Sequence, residues 1–325
     1  MALSALLEAL SLQTIPLIAV VGLISLCAYR AFLHPLSTIP GPFICRLTSL
    51  WIWYHSYIGE ECSVIIGLHD KYGPFVRIGP DEVVVSDGAA LQSVYNENGG
   101  FSKAPCYSNF NIEGHSTIFF STTDTAHRSA RSKAVVPLFS MGNVRANIHL
   151  IEASVDRMVE RLKDEKAQSV QASKEQGNPV GVNMLNLTRS LAIDAVSSYL
   201  FGIQYGGIEE TSDRLSASAY VDFLVTIGRF FFMPHWVLVL VNIVIWKLYP
   251  SKELEASSQK VENFVDGLVK NANKDDGTYQ ARLLKAGICP HETKAQLMDL
   301  MFAGIDSTGT NLGSLCWHLA KQPEM

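Results

Sequence analysis

The stretch Ala303-Gly304-Ile305-Asp306-Ser307-Thr308 interrupts an apolar helical pattern that runs almost to Met325. From His291 to Lys321 there is no proline and no strand-like alternation. Leu297, Leu300, Met301, Ile305, Leu312, Leu315, Cys316 and Leu319 recur at helical spacing and form a broad apolar stripe. Cys289-Pro290-His291-Glu292 reads as the start, with a proline and an acid in the first turn, and Pro323 as the stop. The pattern predicts a helix of about 28 residues, roughly 40 Å long, through the middle of a core.

The six residues at its centre depart from that pattern. Ala303 and Gly304 are small, so a flat group can approach the backbone. A glycine inside a helix costs about 1 kcal/mol and asks for a reason. Asp306, Ser307 and Thr308 place three polar groups mid-helix, and the Ser307 hydroxyl can reach the carbonyl of Ala303, which bends or opens a turn. Small residues, a carboxylate and a hydroxyl at a loosened turn suit a site that binds a diatomic and passes protons to it. A motif this short also fits a solvated helix face, so the rest of the chain decides between the two.

At 325 residues the chain has room for two domains or one large core. A net charge of −5 without a basic cluster argues against nucleic acid as a partner. Six cysteines (27, 45, 62, 106, 289 and 316) are scattered with no C-x-x-C pair. That spacing suits reduced thiols and supports neither a disulfide framework nor a zinc or other metal site. Mean hydropathy is +0.15, high for a soluble protein. Residues 12–33 contain no acid and only one base, Arg30, which is long enough for a single membrane span. A cleaved signal peptide would want a basic start, whereas the first charge here is Glu8. Arg30 lies near the end of the span and Arg46, Lys71 and Arg77 follow it, which places the bulk of the chain on the cytosolic side. The sequon Asn186-Leu187-Thr188 is then expected to stay unmodified.

His34-Pro35-Leu36-Ser37-Thr38-Ile39-Pro40-Gly41-Pro42 follows the span, and three prolines stiffen it. Placed there, it resembles the hinge of the microsomal cytochromes P-450, the haem-thiolate monooxygenases. Ala303–Thr308 resembles their oxygen-activating helix. The likeness continues in order. Leu68–Pro80 is similar to the family's first helix end and first strand, and Asp81–Ser86 reads as the paired strand, β-branched after a Gly-Pro turn. Residues 89–96 read as a short helix. The style of the sequence resembles fungal members that tailor small hydrophobic metabolites.

The resemblance implies a mainly α fold with a small β-sheet (α+β), haem as cofactor, an NADPH-dependent reductase as partner, and insertion of one oxygen atom from O2 into a small hydrophobic substrate. Asp306, Ser307 and Thr308 then become the catalytic candidates, and Ala303 and Gly304 lie against the haem. Phe101-Ser102-Lys103-Ala104-Pro105 opens a loop that lines the substrate cavity in the family. Phe110, Ile112, Phe119 and Phe120 are its candidate substrate contacts, with aromatics tucked into the core as the alternative. The segment Asp124–Ser140 resembles the helix whose base holds a haem propionate, a group that favours arginine. The usual aromatic is absent, and counting back from Phe139 places Ser132 where a base is usual; Arg128 or Arg131 serves if the register slips.

Residues 148–201 read as helices with a polar break at 169–179. The run Trp236–Trp246 is very apolar but too short to span a bilayer. Two readings are open for it: a membrane-dipping lid, as in the family, or a buried core helix. Dinucleotide-binding, Walker, zinc-protease and serine-hydrolase motifs are absent, and no internal repeat is visible.

The expected organisation is a short lumenal start (1–11), an endoplasmic-reticulum anchor (12–33), a proline-rich hinge (34–45) and the N-terminal part of a cytochrome P-450 domain (46–325). None of the six cysteines stands in the family's F-x-x-G-x-R-x-C setting, and the E-x-x-R helix pair is missing. Two expectations follow: a monooxygenase whose chain as read stops short of its iron ligand and is inactive alone, or a truncated, non-catalytic membrane protein.

Overall fold

The computed structural model describes residues 14–97, 100–111, 118, 120–212 and 214–322. The expected lumenal start, Ile112, Phe119 and Pro323 lie outside the described residues. The described chain is mostly helical with one two-stranded antiparallel sheet, as expected. It divides into two compact units. One holds the chain up to Phe101 with Arg229–Met233, and the other holds Ser102–Gly228 with the chain from Pro234 onward.

In the first unit, α1 (Thr14–Ala28) runs into a wider turn at Tyr29–Leu33. Thr14–Leu33 is apolar and long enough to cross a membrane, and almost none of it is buried. Short helices α2 (Phe43–Leu47), α3 (Leu50–Ile58) and α4 (Glu61–Tyr72) follow. Strands β1 (Phe75–Gly79) and β2 (Glu82–Val85) then pair, with a shift between Arg77 and Gly79. Ile52, Val76 and Ile78 are buried together under them. Helix α5 (Ala90–Tyr95) matches the expected short helix.

The second unit is built on helices. These are α6 (Thr125–Val135), α7 (Met141–Ala146), α8 (Ile148–Gln176), α9 (Met184–Val196, widening at Ser197–Phe201), α10 (Ser218–Ile227), α11 (His235–Leu248), α12 (Lys252–Lys270), α13 (Tyr279–Lys285) and α14 (Pro290–Lys321). Helix α14 starts where the sequence placed it, with Cys289 at the N-cap and Pro290 in the first turn. Its residues Leu297, Met298, Met301 and Ile305 meet Ile193, Phe201, Val221, Val261, Val265 and Leu283 in the main core.

The structure corrects two expectations, for α8 and α14, and separates the two readings left open for α11. The polar stretch 169–179 does not break the helix, because α8 continues to Gln176 and ends at Gly177, in the left-handed region at φ 70°. Its serines serve the helix and the chain leaving it: Ser173 Oγ donates to the Ser169 carbonyl (2.7 Å) and accepts the Val180 N–H (2.8 Å). Helix α11 is no core helix, since Trp236, Leu240 and Leu248 are exposed and Leu238 is its buried contact. Helix α14 is enclosed only along its first half; Leu315, Trp317 and Leu319 are each at least half exposed.

Glycines decide how closely α14 lies on α9. A Cβ at Gly304 would stand 2.7 Å from Val196 Cγ2, and one at Gly309 would stand 2.6 Å from Arg189 Cγ and 3.0 Å from Arg189 Cα. Thr188 Oγ1 donates to the Gly309 carbonyl at 2.8 Å across the same crossing. Gly309→Ala should therefore destabilise the unit by about 1–3 kcal/mol through overpacking, against a helix-propensity gain of about 1 kcal/mol. Gly267→Ala on α12, where nothing lies within 4 Å, should show only the gain. Denaturant midpoints of the two variants, measured side by side in detergent, test the contrast. Equal shifts would mean that the crossing gives way.

Candidate functional site

The centre of α14 presents two faces. Met301, Ile305 and Gly309 are buried, while Ala303, Ser307 and Thr308 are exposed. Ser307 Oγ donates to the Ala303 carbonyl at 2.8 Å, the bond read from the sequence, yet α14 stays regular through that turn. Gly304 is half-buried against Val196, so the structure gives it a packing reason.

Asp306 sits at the rim between the faces. Its Oδ1 accepts Arg189 Nη2 at 2.9 Å, and Arg189 Nη1 reaches Asp222 Oδ1 at 2.9 Å. Arg214 extends the chain of charges to Asp222 (2.5 Å) and to Glu253. Thr310 Oγ1 also faces Asp306 Oδ1, at 3.4 Å.

Glu292, Gln296, Asp299, Ala303, Asp306 and Thr310 follow one another at spacings of four and three and so share one stripe of α14. Each acid on the stripe faces a base from another element. Glu292, buried, takes both Arg131 Nε and Arg131 Nη2 (2.7 Å), a bidentate pair, with His127 Nε2 at 3.3 Å. This hydrogen bonding holds the Arg131 proton more tightly. Arg131 is thus committed to α14, whereas Arg128, three residues earlier on α6, is exposed.

Burial pushes the Asp299 carboxyl up to about 7, and the charge of Lys103 opposes that rise. Lys103 is lowered by burial and then by Arg128, with Asp299 acting the other way. One ammonium therefore stands within electrostatic reach of a base on α6 and an acid on α14. Lys103 Nζ also donates to the Phe120 carbonyl and lies 5.1 Å and 5.0 Å from the Tyr107 and Phe120 ring centres. Phe110 meets Phe120 edge-on at 5.3 Å, so these two expected substrate contacts do come together, outside the main core.

The cytochrome P450 family model matches residues 40–325. The chain belongs to the cytochrome P450 family. A cytochrome P450 monooxygenase of Annulohypoxylon moriforme, mfmF, is 33% identical over 326 residues, which is 94% of this chain and 64% of the relative. The orf4 monooxygenase of Eupenicillium brefeldianum is 33% identical over 204 residues, 60% of this chain and 38% of that protein. The cypX monooxygenase of Dothistroma septosporum is 27% identical over 311 residues, 91% of this chain and 58% of that protein. The chain thus spans less than two thirds of the length of these P450 relatives.

P450 membership implies haem. What this chain offers such a group is Ala303, which presents only a methyl on an exposed helix face, and two cations, Lys103 and Arg128, within electrostatic reach of each other, a pairing that suits carboxylates. Among the described residues no cluster of three or more His, Cys, Asp or Glu side chains could hold a metal ion by itself. Sequence patterns assign no site role to Lys103, Arg189, Glu292 or Asp299. Only the acids carried a signal, the spacing 292–299–306 along one helix stripe.

Proposed function

We propose that the protein is a membrane-anchored P450 monooxygenase that inserts one oxygen atom from O2 into a small hydrophobic metabolite, with electrons from an NADPH-dependent reductase. The observation that carries this reading is the exposed Ala303–Ser307 turn on α14 in a chain of this family. Haem, when bound, supplies the iron at which O2 is activated. Ala303 leaves space beside it. Ser307 Oγ, anchored on the Ala303 carbonyl, holds a hydroxyl at that face and moves a proton through it. Asp306, tied to Arg189, feeds that hydroxyl from the rim. Arg128 and Lys103 hold carboxylates, and Phe110 and Phe120 border the substrate; Thr308 supports the same polar turn.

The apolar helix Thr14–Leu33 supports a single-pass anchor in the endoplasmic-reticulum membrane, with the bulk of the chain cytosolic. The exposed apolar side of α11 supports a second, shallow contact with lipid.

The test uses the protein expressed with a reductase in microsomes. A thiolate-type Soret band should appear on reduction under carbon monoxide, and Ser307→Ala should raise peroxide release per electron several-fold while leaving that band unchanged. Absence of the band would overturn the monooxygenase reading. An unchanged peroxide ratio would remove Ser307 from proton delivery.

A further inference from the structure

A proline-rich segment after an apolar helix is ordinarily a stiff spacer that touches little. Here it is fastened. Arg77, the middle residue of β1, is completely buried, and among the described residues no carboxylate bonds its guanidinium. Nη1 donates to the Arg30 carbonyl (3.2 Å), Nη2 to the Pro80 carbonyl (2.6 Å) and Nε to the Gly79 carbonyl (3.3 Å). The Arg77 backbone N–H donates to the Pro40 carbonyl at 2.8 Å. A Cβ at Gly41 would stand 2.3 Å from the Arg77 carbonyl oxygen, so only glycine allows the segment to lie this close.

His34 completes the arrangement. Its Nδ1 accepts the Leu36 N–H (3.2 Å) and faces Arg77 Nη2 (3.3 Å), which places the ring proton on Nε2, 3.1 Å from Asp81 Oδ1. Two further arginines cross the joint: Arg30 Nη1 donates to the Leu47 carbonyl (2.8 Å), and Arg46 Nη1 to the Ala31 carbonyl (3.3 Å). Burial lowers the affinity of Arg77 for its proton, and the charges of Arg46 and Arg30 add to that, with Asp81 opposing them. A cation is kept in this position against that cost because its planar fork is the one side chain that reaches three carbonyls at once.

We propose that Arg77 is a clamp that turns the segment between the apolar helix and β1 into a fixed elbow, so that the apolar helix leaves this unit in a single direction. Arg30, at the end of the apolar stretch, and Pro40, at the end of the joint, are held on one residue, and the joint cannot swing without breaking several charge-assisted hydrogen bonds together. The clamp does not depend on the anchor reading. If the apolar helix lies in a bilayer, the elbow sets the tilt of this unit on the membrane, and that consequence alone rests on the proposed function.

Cys45 reports on the clamp. It sits on α2 inside the joint, fully buried, with its thiol raised to about 11 by burial and held back by Arg77. Thiolates are the reacting form, so a closed elbow should keep Cys45 inert. Cys62 on α4 is exposed and serves as an internal rate standard.

The experiment exposes the full chain, in detergent and in native membranes, to a maleimide for timed intervals and counts label at each cysteine by mass spectrometry. In the wild type, Cys45 should stay unlabelled while Cys62 is consumed. Arg77→Met should raise the Cys45 rate relative to Cys62 on the order of 10- to 100-fold, as expected when charge-assisted hydrogen bonds are lost from a local opening reaction. Gly41→Ala should do the same without touching the guanidinium. If Arg77→Met loses helical ellipticity, Gly41→Ala decides. A Cys45 rate that stays at the wild-type value in folded variants, or one that already equals the Cys62 rate in the wild type, would overturn the clamp.

Discussion

Glu292→Ala should cost the helical unit about 3–5 kcal/mol, because it strands the Arg131 guanidinium against a nearly dry helix start. Glu292 and Arg131 side chains are only 9% and 14% exposed, and the carboxylate takes both arms of the arginine fork. The loss has two parts. The favourable pair disappears, and the remaining cation keeps most of its desolvation cost, met by the His127 carbonyl (3.0 Å) and the weaker pull of the Asp124 carboxylate. The double replacement Glu292→Leu with Arg131→Met should recover most of the loss, since a buried ion pair and a well-packed apolar pair of similar volume differ little in net stability. Urea midpoints of the single and double variants, read by helical ellipticity, give both numbers. A single variant within about 1 kcal/mol of wild type would mean that water reaches Arg131 freely.

Asp299 should make stability fall as pH rises. Its folded-state value is pushed up to about 7, against an ordinary carboxyl value of about 3.9 in an unfolded chain. Below about pH 4 both states are protonated and burial costs nothing extra. Between about 4 and 7 the unfolded chain gives up its proton while the folded chain keeps it, so the unfolded state gains. Above 7 the penalty is complete, with a ceiling of about 4 kcal/mol. Asp299→Asn removes the group, so the variant should match wild type at pH 4 and exceed it at pH 8. The difference between their denaturation midpoints, followed from pH 4 to 8, is the measurement. A difference that does not change with pH would place Asp299 in contact with water in the folded state. The sign is opposite to that of an ordinary ion-paired surface carboxylate, and Lys103 is the group that limits the rise.

Both effects arise on one stripe of α14, whose acids each meet a base from a separate element: Arg131 from α6, Lys103 from the loop before it, and Arg189 from α9. The bases lie more than a hundred residues away in sequence from their acids. No local pattern could pair them, and that is why the proposed proton route through Asp306 was read from the sequence without the arginine that holds it.

The sequence by itself determined the elements and the family. Apolar periodicity marked α14, and Pro290 after Cys289 marked its start, because helix termini obey local backbone chemistry. The Ser307 bond to Ala303 was legible for the same reason: both ends lie within one helical turn. The unbroken acid-free run at Thr14–Leu33 declared an apolar helix without any partner. The order of short motifs was enough for P450 membership, which the family match over residues 40–325 bears out.

Tertiary structure alone decided the rest. Composition suggested a break in α8, but the Ser173 hydroxyl, bonded to the Ser169 carbonyl, and the left-handed Gly177 close the helix later than polarity implied. Apolar content could not tell a buried α11 from an exposed one, since hydropathy records what a side chain prefers and not what covers it. The missing Cβ of Gly304 also lets Val196 approach, a fact that depends on where α9 crosses. Arg131 and Arg128 are chemically alike in the sequence; position against Glu292 commits one to the core and leaves the other at the surface. Local chemistry sets which segments form and where they stop. The partner of each charge and each glycine is set by chain segments far away, so it emerges only when the helices pack.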